Sequence, residues 1–303
     1  MYVRPKRLRR CQLSVPGSSV KMLEKASGLD LDYVFLDLED AVAPSEKRAS
    51  RQNIVNAFNN LDWGRTVRCV RINDLTTEYA YEDIIEVVEG ARENLDLIMI
   101  PKVMEPADVL FVDKLLTMME TKLGLTKQIG IEILIEEVEA MMRVEEIAAC
   151  SPRLEALIFG MGDYSASQGV SLKDIGGQHG YPGDIWHYQR QKLIIAARSN
   201  KMDAVDGPFG DFKDPESYRE ECRRAMILGC VGKWAIHPAQ IEHAQEVFSP
   251  DPDDVARARR MMEAYTEALA NGLGAIQFEG KMIDIASVRI VQNTVDRANL
   301  IGM

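Results

Sequence analysis

Glu136 and Asp163 each stand just beyond a short apolar run rich in β-branched residues, at 129–135 and 154–159. Successive runs of this kind usually become spatial neighbours, which would set two carboxylates side by side. Such a pair repels and raises its own pKa values unless a cation sits between them. Two oxygen ligands, with the remaining positions left to water and substrate, are a common way to hold Mg²⁺, and Mn²⁺ is an alternative occupant. The competing reading is that each acid caps the helix after it or pairs with an arginine.

Other runs also end in polar residues. Arg71 emerges from 67–70, where a guanidinium can fork onto a substrate carboxylate or steady an oxyanion as charge develops. Glu39 and Asp40 follow 33–38 and could hold metal-bound water or orient Arg71; ordinary turn and cap chemistry accounts for them equally well. Lys102, Asp206 and His237 close three more runs. Pro16-Gly17-Ser18-Ser19 precedes a helix starting near Val20, whose amides could receive a phosphate, with Lys21 and Lys25 adding charge. His187 and His243 read as helix-surface residues, His179 sits in a Gly-rich loop, and no histidine spacing suits zinc.

The elements that must carry these residues repeat. Eight apolar runs, at 11–15, 33–38, 67–72, 95–100, 129–135, 154–159, 204–205 with its flanks, and 233–236, are each followed by a helical pattern. The spacing averages about 32 residues, the length of a βα unit, and eight such units fit a (β/α)₈ TIM barrel better than a doubly wound sheet. In such a barrel the chemistry gathers where the strands end, which is where the polar residues fall. Ser45-Glu46-Lys47 opens a helix running towards Asn60, Pro106 starts another, and Asp214-Pro215-Glu216 places acids at a helix N-terminus. The barrel is expected over 1–249. Residues 250–303, an amphipathic helix, a short extended stretch at 277–282 and a final helix, form a C-terminal appendage too short for a core of its own.

At 303 residues with a formal charge of −11, the chain is a poor match for nucleic acid, which demands clustered Lys and Arg. A small anionic ligand is still compatible with the basic N-terminal run Arg4, Lys6, Arg7, Arg9 and Arg10. That run lacks an apolar core and leads straight into a strand, so it is read as part of the fold and not as a targeting peptide. No apolar stretch approaches membrane-spanning length. The five cysteines are scattered and without C-x-x-C spacing, the pattern of reduced thiols in a cytoplasmic enzyme.

In order along the chain, Cys11-Gln12-Leu13 with Pro16-Gly17-Ser18, the stretch 35–44 (FLDLEDAVAP), Val70-Arg71-Ile72-Asn73 and Ile98-Met99-Ile100-Pro101-Lys102 resemble the citrate lyase β-subunit-like (HpcH/HpaI aldolase) family. Gly162-Asp163-Tyr164-Ser165, the stretch 205–212 (VDGPFGDF), Gly232-Lys233-Trp234-Ala235-Ile236-His237-Pro238 and Ile283-Asp284-Ile285-Ala286-Ser287 resemble its malyl-CoA lyase branch. The resemblance implies a TIM barrel with a C-terminal lid, assembled as a homotrimer or homohexamer. It implies reversible, Mg²⁺-dependent cleavage of L-malyl-CoA, and of β-methylmalyl-CoA, to acetyl-CoA or propionyl-CoA and glyoxylate. By position, Glu136 and Asp163 correspond to metal ligands, Arg71 to the active-site arginine, and Asp284 to an acid/base carboxylate delivered by the lid of an adjacent subunit. Ser14, Ser19, Lys25, Gly162, Ile236 and His237 fall where the family contacts CoA or the acyl portion.

Two departures from the pattern are Ser19, where a basic residue is expected, and the loop 175–183, shorter than in several malyl-CoA lyases. Within the family, a malyl-CoA thioesterase and a citramalyl-CoA lyase are the rival readings. From another class, a non-catalytic or carrier-dependent subunit of a lyase complex is the alternative, against which the joint presence of Arg71, Glu136, Asp163 and Asp284 argues.

Overall fold

The structure, a computed structural model, describes residues 2–177 and 180–303; Gln178 and His179, inside the loop that departs in length, lie outside the described residues. Eight parallel strands close on themselves in sequence order: β1 (Cys11–Pro16), β2 (Tyr33–Asp37), β3 (Val67–Arg71), β4 (Leu97–Ile100), β5 (Gly130–Ile135), β6 (Leu154–Phe159), β7 (Asp203–Asp206) and β8 (Gly232–Ala235). Closure is made by β8 pairing with β1, Trp234 opposite Gln12. The expected (β/α)₈ barrel is therefore present, each strand within about two residues of its predicted run.

Strand side chains alternate between two apolar layers. Val34 and Leu36 of β2 point out into the core shared with the helices, while Tyr33 and Phe35 point into the barrel. The same alternation sends Cys69, Met99, Leu134, Ile158 and Trp234 inward. It therefore puts Ser14, Asp37, Arg71 and Glu136 in phase with the inner face, at or just past the strand ends.

The opposite, N-terminal end of the barrel is plugged by ions. Arg9 Nε donates to Glu132 Oε1 at 2.7 Å and its Nη1 to Asp203 Oδ2 at 3.0 Å, Arg7 pairs with Glu155, and Arg10 with Asp32. The N-terminal arginines thus serve the fold and are not available to an anionic ligand, which corrects that expectation.

The helices signalled in the sequence form as Lys47–Asn60, Pro106–Leu123 and Pro215–Leu228. Beyond the barrel, helix Pro252–Ala270, a hairpin of β9 (Ala275–Phe278) and β10 (Lys281–Asp284), and helix Ile285–Leu300 complete the chain. Met261, Tyr265 and Ile283 give this appendage a small apolar centre. Among the described residues, no helix is long and apolar enough to cross a membrane, and all five thiols are free.

Candidate active site

Arg71, the last residue of β3, is buried at the barrel mouth. Its Nε and Nη2 donate to the two carboxylate oxygens of Asp37, both at 2.7 Å. Phe35 and Trp234 lie against the guanidinium, their ring centres 5.7 and 5.5 Å from it. Glu39 Oε2 is 3.0 Å from Arg71 Nη1, an ion pair set off the hydrogen-bonding direction, so this buried oxygen has no hydrogen-bond donor among the described residues. Glu39 Oε1 accepts from Lys102 Nζ at 2.8 Å. Asp40 is exposed, with Oδ1 3.6 Å from the same ammonium.

Lys102 ends the β4 rim in a left-handed backbone conformation, φ 48°. A residue with a Cβ adopts this only where its surroundings enforce it. Here the kink turns its backbone N–H onto Glu136 Oε1, 2.7 Å away, while the side chain reaches Glu39. Glu136 is 2% exposed. Burial, and then the negative charges of Glu39 and Asp163, push its carboxyl up to about 8. Asp163 lies one turn into helix Met161–Ser167, half-buried and next to Glu136 across the β5–β6 pairing.

This arrangement fits a hard divalent cation. The donors are carboxylate oxygens, one Glu136 oxygen is fixed by an amide, and the negative charges of Glu39 and Asp163 disfavour ionised Glu136 in the way a cation would relieve. Among the described residues no three Asp, Glu, His or Cys side chains converge as a ready-made ligand set. A cation would accordingly take two carboxylates and leave positions open.

The residues matched to a CoA thioester split into neighbouring groups. Ser14 is half-buried on β1, and Ser19 begins helix Val20–Ser27 with its hydroxyl making no cap bond. Lys25 is exposed in the last turn of that helix. Ile236, 42% exposed, and His237 follow β8, which pairs with β1. His237 stacks on Phe212 at 4.4 Å and accepts from Ala239 N–H through Nδ1. Gly162 precedes Asp163, its Cα packed near Ile175.

Two sequence readings change. Asp206, expected at the rim, is out of phase with inward Val205 and lies in the helix layer. There it accepts from Arg190 Nε at 2.8 Å and Lys233 Nζ at 2.6 Å, a structural ion cluster. Asp37 was read as part of an apolar run, and proves to be the main partner of Arg71. Strand alternation is the signal that could have found Asp37. Asp284 is exposed, capping helix Ile285–Leu300 by accepting from Ala286 and Ser287 N–H, and among the described residues it makes no contact with Arg71, Glu136 or Asp163.

Residues 10–238 match the family described as HpcH/HpaI aldolase/citrate lyase. The chain is 44% identical to the L-malyl-CoA/beta-methylmalyl-CoA lyase of Cereibacter sphaeroides, covering 98% of this chain and 97% of that protein. It is 32% identical to the (3S)-malyl-CoA thioesterase of the same organism, over 97% and 95% of the two chains. Among solved structures, CitE from Mycobacterium tuberculosis in complex with magnesium, acetoacetate and coenzyme A superposes with a TM-score of 0.73 at 26% identity, covering 95% of this chain and 97% of that one.

Proposed function

The chain belongs to the HpcH/HpaI aldolase/citrate lyase family, and from that premise we propose that it is a carbon–carbon lyase cleaving L-malyl-CoA, and β-methylmalyl-CoA, to glyoxylate and the shorter acyl-CoA. The observation that carries this is the meeting of Arg71 with the Glu136–Asp163 pair at one barrel mouth. Cleavage moves the C–C bonding electrons into the thioester as an enolate, and a buried guanidinium stabilises oxygen-borne charge more strongly than water would.

Glu136 and Asp163 would hold Mg²⁺, which when bound supplies a Lewis acid and a template for an α-oxo acid. Arg71 presents its remaining N–H groups to the oxygen on which charge develops. Glu39 and Lys102 keep the ends of β2, β4 and β5 in fixed relation through their ion pair and the amide bond to Glu136. Ser14, Ser19, Lys25, Gly162, Ile236 and His237 form the acyl-CoA path across the β1–β8 side and the rim of β6. Residues 250–303 act as a lid whose Asp284 moves a proton at the acyl methyl, in the mouth of a neighbouring subunit of a homotrimer or homohexamer. The exposed apolar side chains Met282, Ile285 and Ile290 around Asp284 favour such a docked lid.

The test is purified protein with malyl-CoA and Mg²⁺, following glyoxylate and free CoA separately. Glyoxylate with acetyl-CoA is expected. Malate with free CoA would transfer the assignment to the thioesterase, the less similar of the two relatives.

A further inference from the structure

A guanidinium has five N–H donors arranged along three edges, and which edge is occupied decides what it can do to a ligand. In Arg71 the Nε–Nη2 edge is fully taken by Asp37, in a fork of two equal 2.7 Å bonds. The Nη1–Nη2 end is left, flanked by Glu39 Oε2 at 3.0 Å from Nη1.

Asp37 is itself overdetermined. It is 0% exposed, and besides Arg71 its oxygens accept from the backbone N–H of Glu39 at 2.9 Å and of Ala41 at 3.1 Å. One carboxylate thus ties the guanidinium to the turn that carries Glu39. That turn is pinned a second time: buried Lys47 donates through Nζ to the carbonyls of Leu38 and Glu39, at 2.8 and 2.9 Å. Phe35 and Trp234 close the inner side of the guanidinium, so the arginine has neither a free edge nor a free face except towards the mouth.

We infer that Asp37 is a positioning residue of the reaction: it occupies one edge of Arg71 so that only the Nη1–Nη2 end faces the substrate oxygen, and it locks Arg71 and Glu39 into one unit. The inference rests on the lyase reading for its kinetic consequence but not for its geometry. A neutral amide in place of Asp37 would turn an NH₂ group towards Arg71, donor against donor, and free the guanidinium to rotate onto Glu39.

Asp37→Asn tests this by splitting the kinetic and binding parameters. A fall in kcat of about 10²-fold is expected, the scale for a lost oxyanion donor. KM for the thioester and the affinity for Mg²⁺, measured by calorimetry, should stay within about threefold of wild type, because Glu136 and Asp163 are untouched. A kcat within about threefold of wild type overturns the inference, as does a parallel collapse of Mg²⁺ affinity, which would make Asp37 general scaffolding.

A second measurement holds whether or not the variant folds and whatever the enzyme's reaction. In ¹⁵N-labelled wild-type protein, the Arg71 Nε–H resonance should be slow to exchange with solvent, assigned by its loss in Arg71→Lys. Rapid exchange at that position would also overturn the inference. If wild type cleaves no malyl-CoA yet Arg71 Nε–H is protected, the clamp stands and the lyase reading fails.

Discussion

Glu136 has one oxygen engaged by the Lys102 amide, so Oε2 is the freer of the two for a cation. Gly160 lies directly behind that oxygen: a Cβ built there would sit 2.6 Å from both Glu136 Oε2 and Glu136 Cβ. Because Cβ cannot swing aside as a side-chain tip can, Gly160→Ala should displace the carboxylate. Mg²⁺ affinity by calorimetry is expected to fall about tenfold or more with the far-ultraviolet dichroism unchanged, since disturbing the groups that orient a metal ligand typically costs about 10–100-fold in affinity. Removing the ligands outright, with Glu136→Gln or Asp163→Asn, should abolish Mg²⁺-dependent turnover; activity retained in either would remove that residue from the metal site. At this scale, the sequence made Glu136, Asp163, Arg71 and Glu39 visible, because charge beyond an apolar run stands out. Asp37 was hidden for the converse reason. A single acid inside Phe35–Leu38 looks like an interruption, and only its parity with Phe35 assigns it to the barrel interior.

The strands themselves were readable because each is a short β-branched run followed by a helix, and eight repeats of one unit leave few topologies. Phase was harder. β7 spans only four residues, Asp203–Asp206, too few for alternation to declare which side faces the barrel. The structure puts Asp206 outward, where Arg190 and Lys233 meet it and Glu221 Oε2 lies 3.0 Å from Lys233 Nζ. Glu221 also accepts from Gly177 N–H at 2.6 Å, and Arg190 holds Asp184, so this cluster fastens the segments leading from the Asp163 helix to the layer behind the barrel. Burial works to raise the Asp206 pKa, but the two cations outweigh it and hold the carboxyl below its ordinary value. A depressed folded-state pKa means stability that is fully present above the unfolded value, about 3.9, and is lost as pH falls through the folded one. Asp206→Asn leaves two buried cations with less compensation, so denaturant unfolding at pH 7 should show a loss of about 3–5 kcal/mol. That difference should begin to shrink as pH falls below about 4, where the unfolded wild-type carboxyl takes up its proton, and disappear once pH passes below the lower pKa of the folded state. A difference independent of pH would show that the cluster's charge is not what holds these segments.

At the scale of the whole molecule, the barrel brings the Glu136–Asp163 pair and Arg71 to one mouth, but Asp284 of the C-terminal appendage is exposed and, among the described residues, out of contact with them. The family resemblance implies a lid whose acid serves an adjacent subunit; a single chain does not display that docking, because it depends on surfaces contributed by other copies. Within the chain, Ile283 anchors the end of the hairpin to Met261 and Tyr265, while the next residues, Asp284 and Ile285, face solvent. An acid so presented, already ordered as a helix cap, suits the docking proposed for it. If each active site joins one subunit's barrel to another's lid, two inactive variants can complement each other. Asp284→Ala lacks the acid but keeps the barrel site; Glu136→Gln lacks the metal site but keeps the lid. Co-expressed in equal amounts, they form some sites from an intact barrel and an intact lid: half the barrels, each meeting an intact lid half the time, gives about a quarter of wild-type activity in a cyclic assembly. Each variant alone should be inactive. A mixture as inactive as its components would mean that Asp284 serves its own barrel, whereas full activity of Asp284→Ala alone would remove the lid acid from the chemistry altogether.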